Sequence, residues 1–170
     1  NRKTLDAAEL LEYWKRLPKA DRRDPQIAAA AARSFISLNR CDNARDAIEE
    51  SLNSQWDDSL LPLYAECLGS DALMRIERAE RWLNAHPDDS ELLLTLGKLC
   101  AHQGLWGKAQ SYFDASLALN GSHAAHLALA KLYERNNPEK ACQHYQKGFA
   151  LALSELRDEK HALLPPPHVQ

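Results

Sequence analysis

The sequence predicts an all-α protein built as a stack of antiparallel helix pairs, and three observations carry that expectation. Leu (28) and Ala (26) dominate the 170 residues, while the β-branched residues number only seven: Val169, four Ile and two Thr. Strands draw on Val, Ile, Thr and aromatics, so this composition cannot supply a normal sheet. Six Gly and eight Pro are too few for a loop-rich or collagen-like chain. Finally, apolar residues recur at helical spacing in segments separated by short polar connections, which place consecutive helices antiparallel.

The punctuation gives the elements in order. Residues 1–20 form an amino-terminal capping helix, with Leu5, Leu10, Leu11, Trp14 and Leu17 along one face. Pro25, Pro87 and Pro138 stand where helices begin, because the missing N–H costs nothing there. Asp42-Asn43, Asp57-Asp58, Ser70-Asp71 and Asp88-Asp89-Ser90 are amino-terminal caps, and Gly69, Gly104 and Gly121 fall just past helix ends. These signals predict nine helices, at 3–16, 25–39, 43–54, 57–68, 71–86, 90–103, 106–119, 122–135 and 138–158. The last helix, through Leu151 and Leu156, closes the array, and a Pro-rich tail at 159–170 is expected to be flexible.

The pair at 90–119 carries a signature. Leu93-x2-Leu96-Gly97-x2-Cys100 is followed by Ala109-x3-Phe113 and Gly121. The tetratricopeptide pattern is W-x2-L-G-x2-Y, A-x3-F, P over 34 residues, and Leu96, Gly97, Ala109 and Phe113 match it in register. Small residues let two helices cross closely while a large ring fills the space they leave. The register recurs. Ala32, Gly97 and Ala130 take the small position of the first helix, with Tyr64 as an exception. Ala44, Ala109 and Ala141 take that of the second helix, and Ile48, Phe113 and Tyr145 its large position. The second unit is degenerate, since its second helix shows no small residue in register. The expected architecture is therefore a right-handed α-α superhelix of about four such pairs over 21–158, capped by helices at both ends.

Function classes can be excluded on the same page. Net charge is −3 with an isoelectric point near 6.2, so no global basic field recruits nucleic acid. No stretch reaches the length needed to span a bilayer. The chain starts at Asn1 rather than Met, and the expectation is a fragment whose membrane anchor would lie upstream. There is no phosphate-binding Gly-rich loop, no GxSxG and no HExxH, so no catalytic residues are expected. The cysteines Cys41, Cys67, Cys100 and Cys142 are far apart and form no CxxC pair. They are expected to be free thiols in a reducing compartment, with Cys67 and Cys100 as small buried groups. His123 with His126, and Cys142 with His144, offer soft-metal or haem ligation as a minor alternative to packing roles; no metal and no cofactor are expected.

One constellation points to binding. The residue after the small position of each first helix faces the concave side, and these residues are Arg33, Ala65, Lys98 and Lys131, with His102 and Arg135 one turn further on. A column of cations in a groove favours an acidic peptide or a carboxylate-bearing ligand. Solvated helix faces also carry Lys and Arg, and that alternative stays open. Trp14, Trp56, Trp82 and Trp106 read as packing residues, Trp56 being the best placed for exposure because it sits in a connection between repeats.

Longer strings carry a resemblance. Trp82-Leu83-Asn84-Ala85-His86-Pro87-Asp88-Asp89, then Glu91-Leu92-Leu93, Leu96-Gly97-Lys98-Leu99-Cys100, Leu105-Trp106-Gly107-Lys108-Ala109 and Ala115-Ser116-Leu117-Ala118-Leu119 resemble the carboxy-terminal tetratricopeptide region of the proteobacterial HemY family. Trp14-Lys15-Arg16-Leu17-Pro18 and Gln55-Trp56-Asp57 fit the same pattern, so the resemblance covers most of 5–153. It implies a bacterial inner-membrane protein, tethered by an amino-terminal anchor and associated with late haem (protoheme IX) biosynthesis, with no established catalytic residues. The tetratricopeptide domain would be soluble and face the cytoplasm. The function implied is a non-catalytic scaffold for proteins or peptides, including haem-biosynthesis enzymes. A haem- or porphyrin-binding module is one alternative, and a generic adaptor in envelope assembly is another.

Overall fold

Each helix of the computed structural model, which describes residues 2–69 and 71–162, starts where the sequence supplies a way to satisfy free backbone N–H groups. The elements are α1 (Arg2–Arg16), α2 (Lys19–Arg22), α3 (Pro25–Ser37), α4 (Cys41–Ser54), a 3-10 turn (Asp58–Leu60), α5 (Leu61–Glu66), α6 (Ala72–Ala85), α7 (Ser90–His102), α8 (Trp106–Leu119), α9 (His123–Tyr133) and α10 (Pro138–Ala162). No strand occurs among the described residues. The Asp24 carboxylate accepts from the Gln26 and Ile27 N–H groups ahead of α3, Asp89 accepts from Leu92 ahead of α7, and the Ser122 hydroxyl accepts from Ala125 ahead of α9.

Pairing follows the predicted register: α3 with α4, α5 with α6, α7 with α8, and α9 with α10. The first and third pairs are closed by the same turn. Asn39 (φ 58°) and Gly104 (φ 72°) take the left-handed conformation. The next N–H reaches back to the helix, from Arg40 to the Phe35 carbonyl (2.8 Å) and from Leu105 to the Cys100 carbonyl (2.9 Å). A second repeated bond joins each of these second helices to the start of its partner. The buried Ser51 hydroxyl donates to the Arg23 carbonyl (2.9 Å), and the buried Ser116 hydroxyl to the Ser90 carbonyl (2.7 Å).

The small positions do what the register demands. Ala32, Gly97, Ala130, Ala44, Ala109 and Ala141 are buried, as is Leu96. A Cβ placed on Gly97 would lie 2.3 Å from two ring carbons of Phe113, so α7 and α8 cross at a distance only glycine permits. Leu fills the seams between pairs, with Leu60, Leu61, Leu92, Leu94, Leu99 and Leu129 in one continuous core. Ahead of the repeats, α1 seats Trp14 edge-on against Phe35 (6.4 Å between centroids); the side chain of Leu5 lies outside the described residues.

The second pair departs from the expectation. In place of a single helix over 57–68 there is a 3-10 turn and then the six-residue α5, where Pro62 lacks the N–H a continuous helix would use. Tyr64 and Ile76 occupy positions that are small elsewhere, and both are buried. The space is completed by an internal guanidinium. Arg75, 1% exposed, donates to the Tyr64 carbonyl (2.9 Å), to the Cys41 carbonyl (3.4 Å) and to Asp71 (3.0 Å), and lies over the Tyr64 ring. Asp71 also receives Arg45. Burial by itself would raise the Asp71 carboxyl, but the hydrogen bonds from Arg75 and Arg45 hold it below the usual carboxylate range.

Cys41 and Cys67 form a disulfide across this pair, so the expectation of four free thiols fails for these two. The chain brings the start of α4 beside the end of α5, with the Cα atoms 5.3 Å apart, inside the range a disulfide spans. Cys100 (buried) and Cys142 (exposed) are free. At the carboxy-terminal end α10 runs four residues beyond its predicted end, through Ala162, so 159–162 are helical. The remaining tail, 163–170, lies outside the described residues. Helix α10 packs on α9 through Ala141 and Gly148, while Tyr145, Phe149, Leu153 and Leu156 form an exposed row about a third of a turn away.

Candidate functional site

The first helices of the last three pairs, with the start of α8, wall a concavity of about 1260 Å³. Ala65 and Leu68 come from α5 and the residues after it, Lys98 and His102 from α7, and Leu127, Lys131 and Leu132 from α9, with Arg135 just beyond that helix. Four of the five predicted groove cations, Lys98, His102, Lys131 and Arg135, are thus brought together. Arg33 is not: it is exposed on α3 and does not line the concavity. Ala65 takes its predicted place in the column.

Charge in this concavity is unspent. Among the described residues, none of Lys98, Lys131 and Arg135 is in an ion pair. Lys98 is half-buried and influences Glu91 on its own helix; burial pushes that carboxyl above the usual range and Lys98 pulls it back in part. Glu134 contributes the opposing charge on the lining, and its carboxylate accepts from the Tyr145 hydroxyl. By contrast, Lys108, on the outer side of α8, is neutralised by Glu80 (2.7 Å).

Apolar contact comes from Trp106, Phe113, Leu127, Leu132 and Tyr133. Trp106 is 52% exposed, although its position at the start of a second helix suggested a bracing role. Trp56, expected to be the exposed one, is instead packed: its N–H donates to Asp89 (2.9 Å) and its ring stacks on His86 at 4.0 Å. The signal that could have separated them lies in the neighbours. Trp56 is followed one repeat later by an aspartate cap able to accept from it, whereas Trp106 lies between the exposed Leu105 and Gly107.

The histidines singled out by sequence fall in two places. His123 lines the concavity and pairs with Glu155 (2.7 Å). His126 and His144 meet across α9 and α10 with Nδ1 atoms 3.0 Å apart, and Tyr133 stacks on His144. Burial lowers both rings' pKa, as do His144 and Lys147 around His126, and Lys147 and Lys140 around His144. One neutral imidazole donates to the other. Cys142 is exposed and takes no part in this contact. Among the described residues, no group of three or more His, Cys, Asp or Glu is arranged to hold a metal ion.

An all-α superhelix of tetratricopeptide-like pairs with an open, cation-lined concave face defines a class of protein that binds along an extended surface. No protein-family model matches the chain. The chain is 28% identical over 146 residues to Protein HemY of Escherichia coli (strain K12), which covers 85% of this chain and 36% of that protein; the Shigella flexneri HemY matches at the same values. It therefore spans about a third of the length of the curated relatives it matches. Among solved structures, a crystal structure of MamA aligns with TM-score 0.59 at 13% identity, covering 92% of this chain and 94% of that one. MamA from Desulfovibrio magneticus RS-1 aligns with TM-score 0.58 at 18% identity, over 87% and 86%. These likenesses show the fold, and the similarity to HemY agrees with the strings at 82–119.

Proposed function

We propose that the chain is the non-catalytic binding domain of a membrane-tethered scaffold, and that its concave face grips an acidic segment of a partner protein. The observation that carries this reading is the coincidence, in one concavity, of four unneutralised basic residues with an exposed Trp106. Unpaired cations favour carboxylates, and an indole on an apolar floor is the kind of anchor that dominates binding energy. The similarity to HemY supports partners among the enzymes of late haem biosynthesis and an inner-membrane setting. No helix among the described residues is long and apolar enough to cross a membrane, so the tether belongs to a part of the protein outside this chain.

The test is a pull-down from membranes with the full-length protein, comparing Lys98→Glu/Lys131→Glu with Arg33→Glu, which lies outside the concavity. The groove reading expects loss of captured proteins with the first variant and retention with the second. Equal capture by both would reject it. A second reading, a porphyrin whose propionates meet the same cations above the apolar floor, is supported by the same juxtaposition of charge and aromatic surface. A haem titration that shifts the Soret band for the parent chain, and not for the double variant, would favour that ligand over a peptide.

A further inference from the structure

We infer that Cys41 and Cys67 are acceptor thiols for a disulfide-donating oxidoreductase, so that this domain works on the oxidising side of its membrane and its groove wall at α5 is fixed by that bond. Three features converge here. First, α5 has six residues where the corresponding α3 and α7 have 13 each, so this pair has half the helix with which to bury its seam. Second, the chain leaves α5 at Cys67 in a non-helical conformation (φ −109°, ψ 86°), and the disulfide to the first turn of α4 holds it there. Third, the same spot is strapped by the buried Arg75, which reaches the carbonyls of both Cys41 and Tyr64. Covalent and ionic ties thus replace the missing turns.

Position gives the bond a consequence. Ala65 and Leu68, on either side of Cys67, line the concavity opposite Lys98 and His102. The disulfide therefore sets where that wall stands, and this follows from geometry whether the groove takes a peptide, a porphyrin or neither. Persistent structural disulfides belong to oxidising compartments, and reducing cytosol keeps such thiols apart. This reverses the cytoplasmic orientation that four free thiols would have supported.

The chemistry balances with one co-reactant. A thiolate of the pair attacks the donor's disulfide, forming a mixed disulfide and releasing one donor thiolate. The second cysteine's thiolate then attacks the mixed disulfide, forming the Cys41–Cys67 bond and releasing the other donor sulfur. Two protons and two electrons pass to the donor, which leaves as a dithiol. Cys41, half-buried, is the more accessible of the two sulfurs.

The test traps thiols in the cells that make the full-length protein, by acid quench and maleimide alkylation, followed by peptide mapping. A linked Cys41–Cys67 peptide, with Cys100 and Cys142 alkylated, is expected; finding Cys41 and Cys67 both alkylated would overturn the assignment. Hydrogen exchange on the purified protein tests the wall. Reductant should raise exchange across 61–71 by at least about tenfold and leave α7 and α8 unchanged. A Cys41→Ser/Cys67→Ser variant should match the reduced profile, and Cys100→Ser/Cys142→Ser the oxidised one. If the first variant does not fold, the reductant comparison still decides: unchanged exchange at 61–71 would reject a role for the bond in holding the wall.

Discussion

Replacing Gly97 by Ala adds one methyl group to a helix interior, where alanine is ordinarily preferred by about 1 kcal/mol. Here the methyl would sit 2.3 Å from the Cδ1 and Cε1 atoms of Phe113 and 3.0 Å from its Cζ. Carbon atoms rest at about 3.5–4.0 Å, so more than an ångström must be found. Phe113 is 2% exposed, and its ring has no free space to enter, so α7 and α8 must separate or the ring must leave its rotamer. Overpacking of this kind costs about 1–3 kcal/mol and sometimes more. Against the propensity gain, a net loss of about 2 kcal/mol is expected, equivalent to a fall in Tm of about 4–8 °C for a chain of this size. Urea and thermal unfolding of the two proteins measure it. A Phe113→Leu partner separates steric conflict from general weakening. The double variant should lose less than the sum of the singles, by about 1 kcal/mol or more. A Gly97→Ala protein as stable as the parent, or additive single and double variants, would refute the close-crossing argument.

Other predictions concern charge and binding. Asp71→Asn should destabilise the fold by about 3 kcal/mol at neutral pH, because it leaves the buried Arg75 without its counter-charge. The Asp71 carboxyl is held below its ordinary value, so its stabilisation is present above the unfolded-state pKa near 4 and lost as pH falls through the lower folded value. Acid unfolding of the variant should therefore be less steep than that of the parent. His126 and His144 have lowered folded pKa values, so their contribution is present above about pH 6.5 and lost as pH falls through the folded values. Melting curves from pH 8 to pH 5 should show a decline that His144→Asn reduces, and equal slopes would count against the pair. Trp106→Ala should weaken capture of partners about tenfold or more while shifting Tm little, since half of its surface is already exposed.

Much of the array was legible in the sequence because its rules are local. Ala32, Gly97, Ala109 and Ala130 recur at one spacing, and close helix crossing leaves few residues able to stand there. Groove cations follow from the same register, so Lys98, His102, Lys131 and Arg135 could be placed on one face from sequence alone. Arg33 obeys the register too, but the concavity begins with the second pair, and the register says nothing of where along the array the walls close. The second pair was obscure because its solution is not local. Arg75 lies 11 residues from Tyr64 and 34 from Cys41, and its role exists only once three helices surround it.

Composition and period alone determined that this protein is a helical stack with an extended concave face: a chain so poor in β-branched residues has no other way to bury its Leu, and its spaced Ala and Gly dictate close pairing. Only the tertiary structure decided which aromatic ring faces solvent, which two of the four cysteines join, and how a shortened helix is braced. Those outcomes depend on pairs of groups distant in sequence, whose separation in space no periodic pattern encodes.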